Sequence, residues 1–216
     1  MELVNSIASW VLKKRMHQIE LFRKYPHEVQ IEWFNKLINT AKNTEFGKKH
    51  HFKRIKSRQD FQKRVPISDY ETLKPYIERV RQGEQNVLWP TEINWFAKSS
   101  GTTSDKSKFI PVSKESLEEC HYKGGKDLLS IYFNTFPDSK LFVGKGMVLG
   151  GSSEVNEYKK NSYYGDLSTI IIKNLPYWAE YVRTPSIDIT LLPDWENKIE
   201  KMAQAGAKED VTNISG

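Results

Sequence analysis

The sequence predicts an α/β protein in which an amino-terminal helical segment packs on part of a mixed β-sheet layer. Two observations support this fold class. Up to about residue 82, apolar side chains recur mostly at the three- and four-residue spacing of amphipathic helices. Beyond Leu88-Trp89-Pro90, short apolar runs alternate with helical stretches, a pattern typical of a sheet covered by helices. With 216 residues, 38% of them hydrophobic, the chain can bury one substantial core.

Three helices are predicted in the first part of the chain. The first covers residues 2–24. The second begins at Pro26 and has one apolar face formed by Phe34, Leu37, Ile38 and Ala41, and we expect the two helices to pack together. The third covers residues 69–82. It starts with a capping box of Ser68 and Glu71 and ends at Gly83, and we expect Pro75 to kink or split it.

The α/β part begins with a strand over residues 93–97, a loop over 98–108 and a returning strand over 109–112. Ser113 then caps a helix that reaches about Phe133, and residues 141–149 form a core strand that stops at Gly150-Gly151. Further on we expect helices at 167–173 and 195–205 and extended segments at 187–192 and 211–214. Because no polar tail follows the last strand, we expect a chain truncated within a domain, with an exposed apolar sheet edge.

Composition narrows the possible classes of protein. No apolar run approaches the roughly 20 residues that span a bilayer, and the single cysteine, Cys120, excludes an intramolecular disulfide and a Cys-rich metal site. We therefore expect a cytoplasmic protein without a metal site of its own. Residues 1–65 hold 15 Lys and Arg against 6 Asp and Glu. This basic surface is interpreted as a solvated helical exterior rather than an RNA or membrane site, since no nucleic-acid motif accompanies it.

The loop at 98–108 has the composition of a phosphate-binding segment. Gly101 permits tight backbone turns, several hydroxyls can donate hydrogen bonds, and lysines supply positive charge; the hydroxyl and lysine residues are Ser99, Ser100, Thr102, Thr103, Lys98, Lys106 and Lys108. Neither GxxxxGK[ST] nor GxGxxG is present, so Walker-type and dinucleotide-binding loops are excluded. Composition alone does not separate a phosphate site from a flexible surface loop.

Several segments together resemble the auxin-responsive acyl acid-amido synthetase family, and the bacterial members in particular. This family belongs to the firefly-luciferase-like adenylate-forming superfamily. The segments from residues 96 to 103 and 108 to 111 look like the first ATP motif of that family; the other matching segments are residues 61–67, 74–77, 83–90 and 161–165. Many family members carry a glycine and an acidic residue after the Ser/Thr run, where this chain has Asp105 and Lys106. We expect this departure to alter the loop's dynamics without abolishing binding.

The resemblance implies a fold, a reaction and a set of site residues. Residues 1–216 would form the amino-terminal part of one large adenylate-forming domain, with a helical segment at 1–88, an α/β part at 89–216 and no small carboxy-terminal domain. The reaction would be ATP-dependent activation of a carboxylic acid as an acyl-adenylate, followed by transfer to the amine of an amino acid, with Mg²⁺ required. ATP would be held by Ser99, Ser100, Gly101, Thr102, Thr103 and Lys108, with Lys108 as the catalytic cation. Tyr163 and Tyr164, expected in a loop region, would line the acyl pocket.

Two alternatives stay open at this point. An acyl-CoA ligase of the same superfamily would use the same loop and differ in the acceptor. A non-catalytic binding module for RNA or a partner protein would instead use the basic amino-terminal surface and bind polyanions in a salt-sensitive manner. The leading interpretation implies a small carboxylic acid and an amino acid as partners, with no nucleic acid or membrane, and a fragment that is inactive by itself.

Overall fold

The computed structural model describes residues 2–99, 107–151 and 155–215. Its α-helices are α1 (Glu2–Lys24), α2 (Pro26–Ala41), α3 (Glu45–Lys49), α4 (Arg58–Arg64), α5 (Tyr70–Arg81), α6 (Lys114–Ser116), α7 (Lys123–Thr135), α8 (Leu167–Lys173), α9 (Ile187–Thr190) and α10 (Trp195–Gly206). Short 3₁₀ segments occur at Phe52–Arg54 and Tyr177–Val182, and a π-helical segment, Leu117–Tyr122, joins α6 to α7.

The strands form two sheets. They are β1 (Trp95–Lys98), β2 (Phe109–Val112), β3 (Lys145–Val148), β4 (Asn156–Lys159), β5 (Ser162–Gly165), β6 (Arg183–Thr184) and β7 (Val211–Ser215). The first sheet has the order β2-β1-β5-β4, with antiparallel pairing of β1 with β2 and of β4 with β5. The second has the order β6-β3-β7 and is parallel. The mixed α/β class is thus confirmed.

The chain divides into two compact units, which are described separately. The first unit contains residues up to Glu20, Glu118–Val155 and the residues from Gly165 onward, and it holds the parallel sheet. The second unit contains Leu21–Leu117 and Asn156–Tyr164, and it holds the four-stranded sheet. None of the helices in the described part of the chain combines the length and apolar character needed to cross a bilayer.

In the first unit, polar contacts join α1 to α7 and to the segment that follows α7. The guanidinium of Arg15, which is buried, donates to the carboxylate of Asp127 at 2.6 Å. The side chain of Asn5 donates to the carbonyl oxygen of Ser139 and accepts from the backbone N–H of Phe142, both at 3.0 Å. These contacts orient one face of α1, while Trp10 on the same helix stays 60% exposed.

A buried lysine lies at the carboxyl end of β3 in the same unit. The ammonium of Lys198, on α10, donates to the carbonyl oxygens of Gly150 and Gly151, at 3.3 and 2.8 Å. Burial lowers the pKa of Lys198, and the nearby carboxylate of Asp166 opposes that effect. The backbone at Gly150 and Gly151, where the sequence predicts the strand to end, is therefore held in place by the side chain of Lys198 from a helix far along the chain.

The second unit has two clusters of buried apolar residues. One joins α2 to the segment that follows α3 and consists of Ile38, Ala41, Phe52 and Ile55. The other lies between α5 and the sheet and consists of Val80, Val87, Ile93 and Phe96. Phe34, Ile38 and Ala41 contribute to the first cluster as the helical spacing predicts, but Leu37 is 50% exposed, so its assignment to the packing face was wrong.

The structure corrects four local expectations. Asp69, not Ser68, caps α5, because its side chain accepts from the backbone N–H of Thr72. Pro75 does not split α5, which continues from Tyr70 to Arg81. Residues 187–192, expected to be extended, contain the short helix α9. Tyr163 and Tyr164, expected in a loop, lie on β5.

The strand predicted near the carboxyl end is confirmed as β7, which lies at one edge of the parallel sheet among the described strands. It pairs with β3 along its length, with Met147 opposite Ile214. The side chain of Ile214 is 66% exposed. One described edge of this sheet therefore presents an apolar side chain to the exterior.

Candidate functional site: the β1–β2 hairpin

The expected phosphate loop extends from a closed antiparallel hairpin. Lys98 pairs with Phe109 at the end of the ladder between β1 and β2. One step further, the backbone N–H of Ser99 donates to the carbonyl oxygen of Lys108 at 2.9 Å. The backbone N–H of Lys108 donates in return to Oγ of Ser99 at 3.1 Å. We call this pair of contacts the hairpin neck. The Ser99 hydroxyl acts in it as an acceptor, and its O–H remains able to donate to a ligand.

Four of the predicted cofactor-binding residues lie outside the described residues. They are Ser100, Gly101, Thr102 and Thr103. The charged residues Asp105 and Lys106 also lie outside the described residues. The structure therefore places the two ends of the predicted loop, Ser99 and Lys108, and leaves its centre undescribed. The predicted end of the loop at Lys108 agrees with the start of β2, whereas Lys98, predicted to begin the loop, is the last residue of β1.

Lys108 is exposed at the neck, next to the start of α5. Its ammonium lies 5.6 Å from the ring centroid of Tyr70, and the Tyr70 hydroxyl accepts a hydrogen bond from the backbone N–H of Phe109 at 2.9 Å. Hydrogen bonds from Thr72 lower the pKa of the Asp69 carboxyl, and the positive charge of Lys108 adds to that lowering. No carboxylate within the described ranges forms an ion pair with Lys108, so its charge is available to an anion.

A buried arginine supports the hairpin from below. The guanidinium carbon of Arg81, the last residue of α5, lies 3.7 Å from the ring centroid of Phe109 and 4.2 Å from that of Tyr158. Its Nη1 also donates to both carboxylate oxygens of Glu78, at 2.7 and 2.9 Å. Arg81 is only 6% exposed. It therefore connects α5 to both edge strands of the sheet, β2 and β4.

A second support fixes the chain on either side of the hairpin. The carboxylate of Glu115, on α6, accepts from the indole N–H of Trp89 at 3.2 Å and from the hydroxyl of Thr91 at 2.9 Å. Burial disfavours ionisation of this carboxyl, but hydrogen bonds from its own backbone N–H and from Thr91, Trp89 and Ser113 outweigh burial and lower its pKa. The segment before β1 and the helix after β2 are thus held to each other.

The two predicted substrate residues point to opposite faces of the four-stranded sheet. The ring of Tyr164 packs edge-on against Phe109, with centroids 5.3 Å apart, beside the core cluster under α5. The ring of Tyr163 lies 5.2 Å from that of Trp95 on the other face. The backbone N–H of Tyr163 donates to the carbonyl oxygen of Asn94 at 2.8 Å. The structure does not bring the two tyrosines together; it places them on either side of β5.

Sequence reasoning missed the supporting residues Tyr70, Arg81 and Glu115. Arg81 stands two residues after Arg79 in a charged helix, and nothing in the spacing separates the buried arginine from the exposed one. In the part of the chain that the structure describes, no three His, Cys, Asp or Glu side chains cluster in a way that could hold a metal ion.

Comparison with known proteins agrees with the resemblance found in the sequence. Indole-3-acetic acid-amido synthetase GH3.2 of Arabidopsis thaliana is 31% identical over 117 residues, which cover 54% of this chain and 21% of that protein. Jasmonoyl-L-amino acid synthetase JAR6 of Nicotiana attenuata is 28% identical over 167 residues, which cover 70% of this chain and 28% of that protein. The chain thus spans less than a third of the length of these relatives.

A solved structure and a family model cover more of the chain. The structure titled GH3.15 acyl acid amido synthetase superimposes with a TM-score of 0.70 at 20% identity, over 84% of this chain and 32% of the other; this likeness concerns the fold. The model of the GH3 family N-terminal domain matches residues 15–215. Because that match covers nearly the whole chain, the protein belongs to the GH3 family.

Proposed function

We propose that this chain supplies the phosphate-binding part of an ATP-dependent acyl acid-amido synthetase. The proposal rests mainly on the hairpin neck, which brings Ser99 and Lys108 together at the base of the predicted loop. Membership of the GH3 family supports the reaction class, since the relatives named above are amido synthetases. The proposed reaction joins a carboxylic acid to an amino acid.

The proposed chemistry has two steps. A carboxylate oxygen attacks the α-phosphorus of ATP, and the bond to pyrophosphate breaks to leave an acyl-adenylate. The amine of an amino acid then attacks the acyl carbon, and AMP leaves as the amide forms. Negative charge builds on the pyrophosphate in the first step, and a fixed cation near it lowers the barrier.

In this proposal the loop's hydroxyls and amides contact the β- and γ-phosphates. These groups belong to Ser99, Ser100, Gly101, Thr102 and Thr103, and Lys108 neutralises the leaving pyrophosphate. The neck suits this role because it fixes Lys108 on a paired backbone, and because no described carboxylate forms an ion pair with its ammonium, Asp69 acting on it only at longer range. Mg²⁺ would enter with the phosphate oxygens of ATP, which are ligands that it prefers.

We further propose that the two tyrosines act differently. The ring of Tyr164 is held against Phe109 and supports the sheet beneath the loop. The ring of Tyr163 is packed only against Trp95 among the rings of the described residues, and it is the better placed of the two to meet an acyl group. A Tyr163→Ala substitution should then raise KM for the carboxylic acid, while Tyr163→Phe should not.

The test is calorimetric titration of Mg²⁺-ATP into the longest form of the protein that contains this chain. Lys108→Ala should weaken binding, and it should lower the rate of carboxylate-dependent pyrophosphate release by about 10²–10³-fold, the range seen when one charge-stabilising donor is removed. Lys63→Ala, which removes an exposed lysine on α4 of the same unit, is the control and should change neither quantity. ATP binding that survives Lys108→Ala unchanged would disprove the assignment.

A further inference from the structure

Most of the residues that line a small concavity in the second unit are basic. It lies where α2 ends, α3 passes and the 3₁₀ segment Phe52–Arg54 follows, and it has a volume of about 190 Å³. Three lysines, one arginine and one histidine line it; they are Lys42, Lys48, Lys53, Arg54 and His51. No Asp or Glu is among the lining residues. We call this concavity the basic pocket.

The cations of the basic pocket have no partner within the described part of the chain. None of the five side chains forms a hydrogen bond or an ion pair there, although other lysines and arginines of the same unit, such as Arg79 and Arg81, do. Four positive charges around one concavity repel one another, and a bound anion would remove that repulsion.

The backbone that carries these cations is fixed by buried contacts. The hydroxyl of Thr44, which is fully buried, donates to the carbonyl oxygen of Ala41 at 2.7 Å and accepts from the backbone N–H of Gly47 at 2.9 Å. A Cβ at Gly47 would collide with the carbonyl oxygen of Ala41. His51 has a φ of 52°, in the left-handed region, and Phe52 is buried in the core cluster below. The pocket's shape is therefore set by packing rather than by its charged side chains.

The size and lining of the pocket indicate the class of ligand. Sites for drug-sized molecules occupy about 300–1,000 Å³, so this pocket suits a small anion rather than a whole nucleotide. Lysine and arginine are the usual partners of phosphate oxygens. Single-stranded nucleic acids need exposed aromatic rings for base stacking, and the one lining phenylalanine, Phe52, is only 7% exposed.

We infer that the basic pocket binds a multiply charged phosphate group of a small molecule, at a site separate from the hairpin neck. This assignment does not depend on the proposed reaction. It gives a role to part of the positive charge in residues 1–65, which the sequence alone places on a solvated surface.

The test is a titration of sodium pyrophosphate into the protein at low ionic strength, followed by amide chemical shifts and by calorimetry. Pyrophosphate should shift the amide signals of Gly47, Lys48 and His51. The double substitution Lys48→Ser, Arg54→Ser should weaken binding at the pocket by about tenfold or more, because two charged donors are lost.

The matched control is Lys63→Ser, Arg58→Ser, which removes one lysine and one arginine from exposed positions on α4 of the same unit. It should leave the affinity within about twofold, since such exposed charges act only through a screened field. Lys108→Ala should leave the shifts at Gly47 and His51 in place, which separates the basic pocket from the loop. Equal weakening by both double variants, or the absence of shifts at Gly47, Lys48 and His51, would overturn the inference.

Discussion

Replacing Arg81 by methionine should destabilise the second unit by about 2 kcal/mol. Methionine keeps an unbranched apolar stem but removes the guanidinium that lies over Phe109 and Tyr158. A desolvated cation–π contact contributes about 2 kcal/mol, so two such contacts contribute roughly 4 kcal/mol. Against this, Nε of Arg81 is buried without a hydrogen-bond partner among the described residues, which costs about 1–3 kcal/mol that methionine removes. These two contributions leave a loss of about 2 kcal/mol, and the variant also loses the hydrogen bonds that Arg81 donates to Glu78, which adds to the destabilisation.

The assay is urea unfolding followed by tryptophan fluorescence, with Arg79→Met as the matched control. Arg79 lies on the same helix and forms ion pairs with Glu45 and Glu84, but its side chain is 39% exposed. The hydrogen bonds that Arg79 donates to the carboxylates of Glu45 and Glu84 raise the pKa of Arg79, yet exposure to water leaves such pairs with little net effect on folding. Arg81→Met should therefore lower the urea midpoint clearly more than Arg79→Met. Equal shifts would refute the argument that burial between the rings gives Arg81 its importance.

Two further predictions concern backbone space and pH. Gly47→Ala should destabilise the fold by about 1–3 kcal/mol, as overpacked sites do, because the added Cβ would collide with the backbone of Ala41. Gly124→Ala, in open space on α7, should instead stabilise the fold by up to about 1 kcal/mol. Thermal melts in which both variants shift the midpoint in the same direction would contradict this contrast. Burial lowers the pKa of Lys198, so between that pKa and the ordinary lysine value of about 10.4 the unfolded chain binds more protons than the folded one. The free energy of unfolding should therefore rise with pH in this range, and urea unfolding of Lys198→Met should lack the rise. An identical rise in the variant would exclude Lys198 as its source.

Elements with a regular apolar pattern over several turns, or with an N-terminal proline, could be predicted from the sequence. Helices α1, α2 and α8 and strand β2 occupy the residues expected of them, since each has a clear apolar pattern or an N-terminal proline. Residues 187–192 were assigned wrongly because Ile187 and Ile189 alternate as in a strand, and a helix of one turn is too short to show the period of 3.6. Ser68 and Asp69 are both able to cap a helix, and spacing alone did not choose between them.

The candidate site could likewise be predicted only in part. The loop's bounds follow from local composition, because small and hydroxyl-bearing residues interrupt two apolar runs. Its supports do not, because the contacts of Arg81 with Phe109 and Tyr158 join residues far apart in the chain. In the sequence, Arg79 and Arg81 look equivalent, because both are arginines on the same helix. Only the tertiary fold buries Arg81.

Because of the hairpin neck, the length of the loop has little effect on the stability of the sheet. Since Ser99 and Lys108 close the ladder with their own hydrogen bonds, residues added between them lengthen a loop that is already closed at its base. Doubling the length of such a loop costs only about 0.6 kcal/mol in chain entropy. Changes in length or composition between Ser99 and Lys108 should therefore alter the folding free energy of the four-stranded sheet only slightly, so that this stretch of sequence can vary while the strands that carry it stay the same.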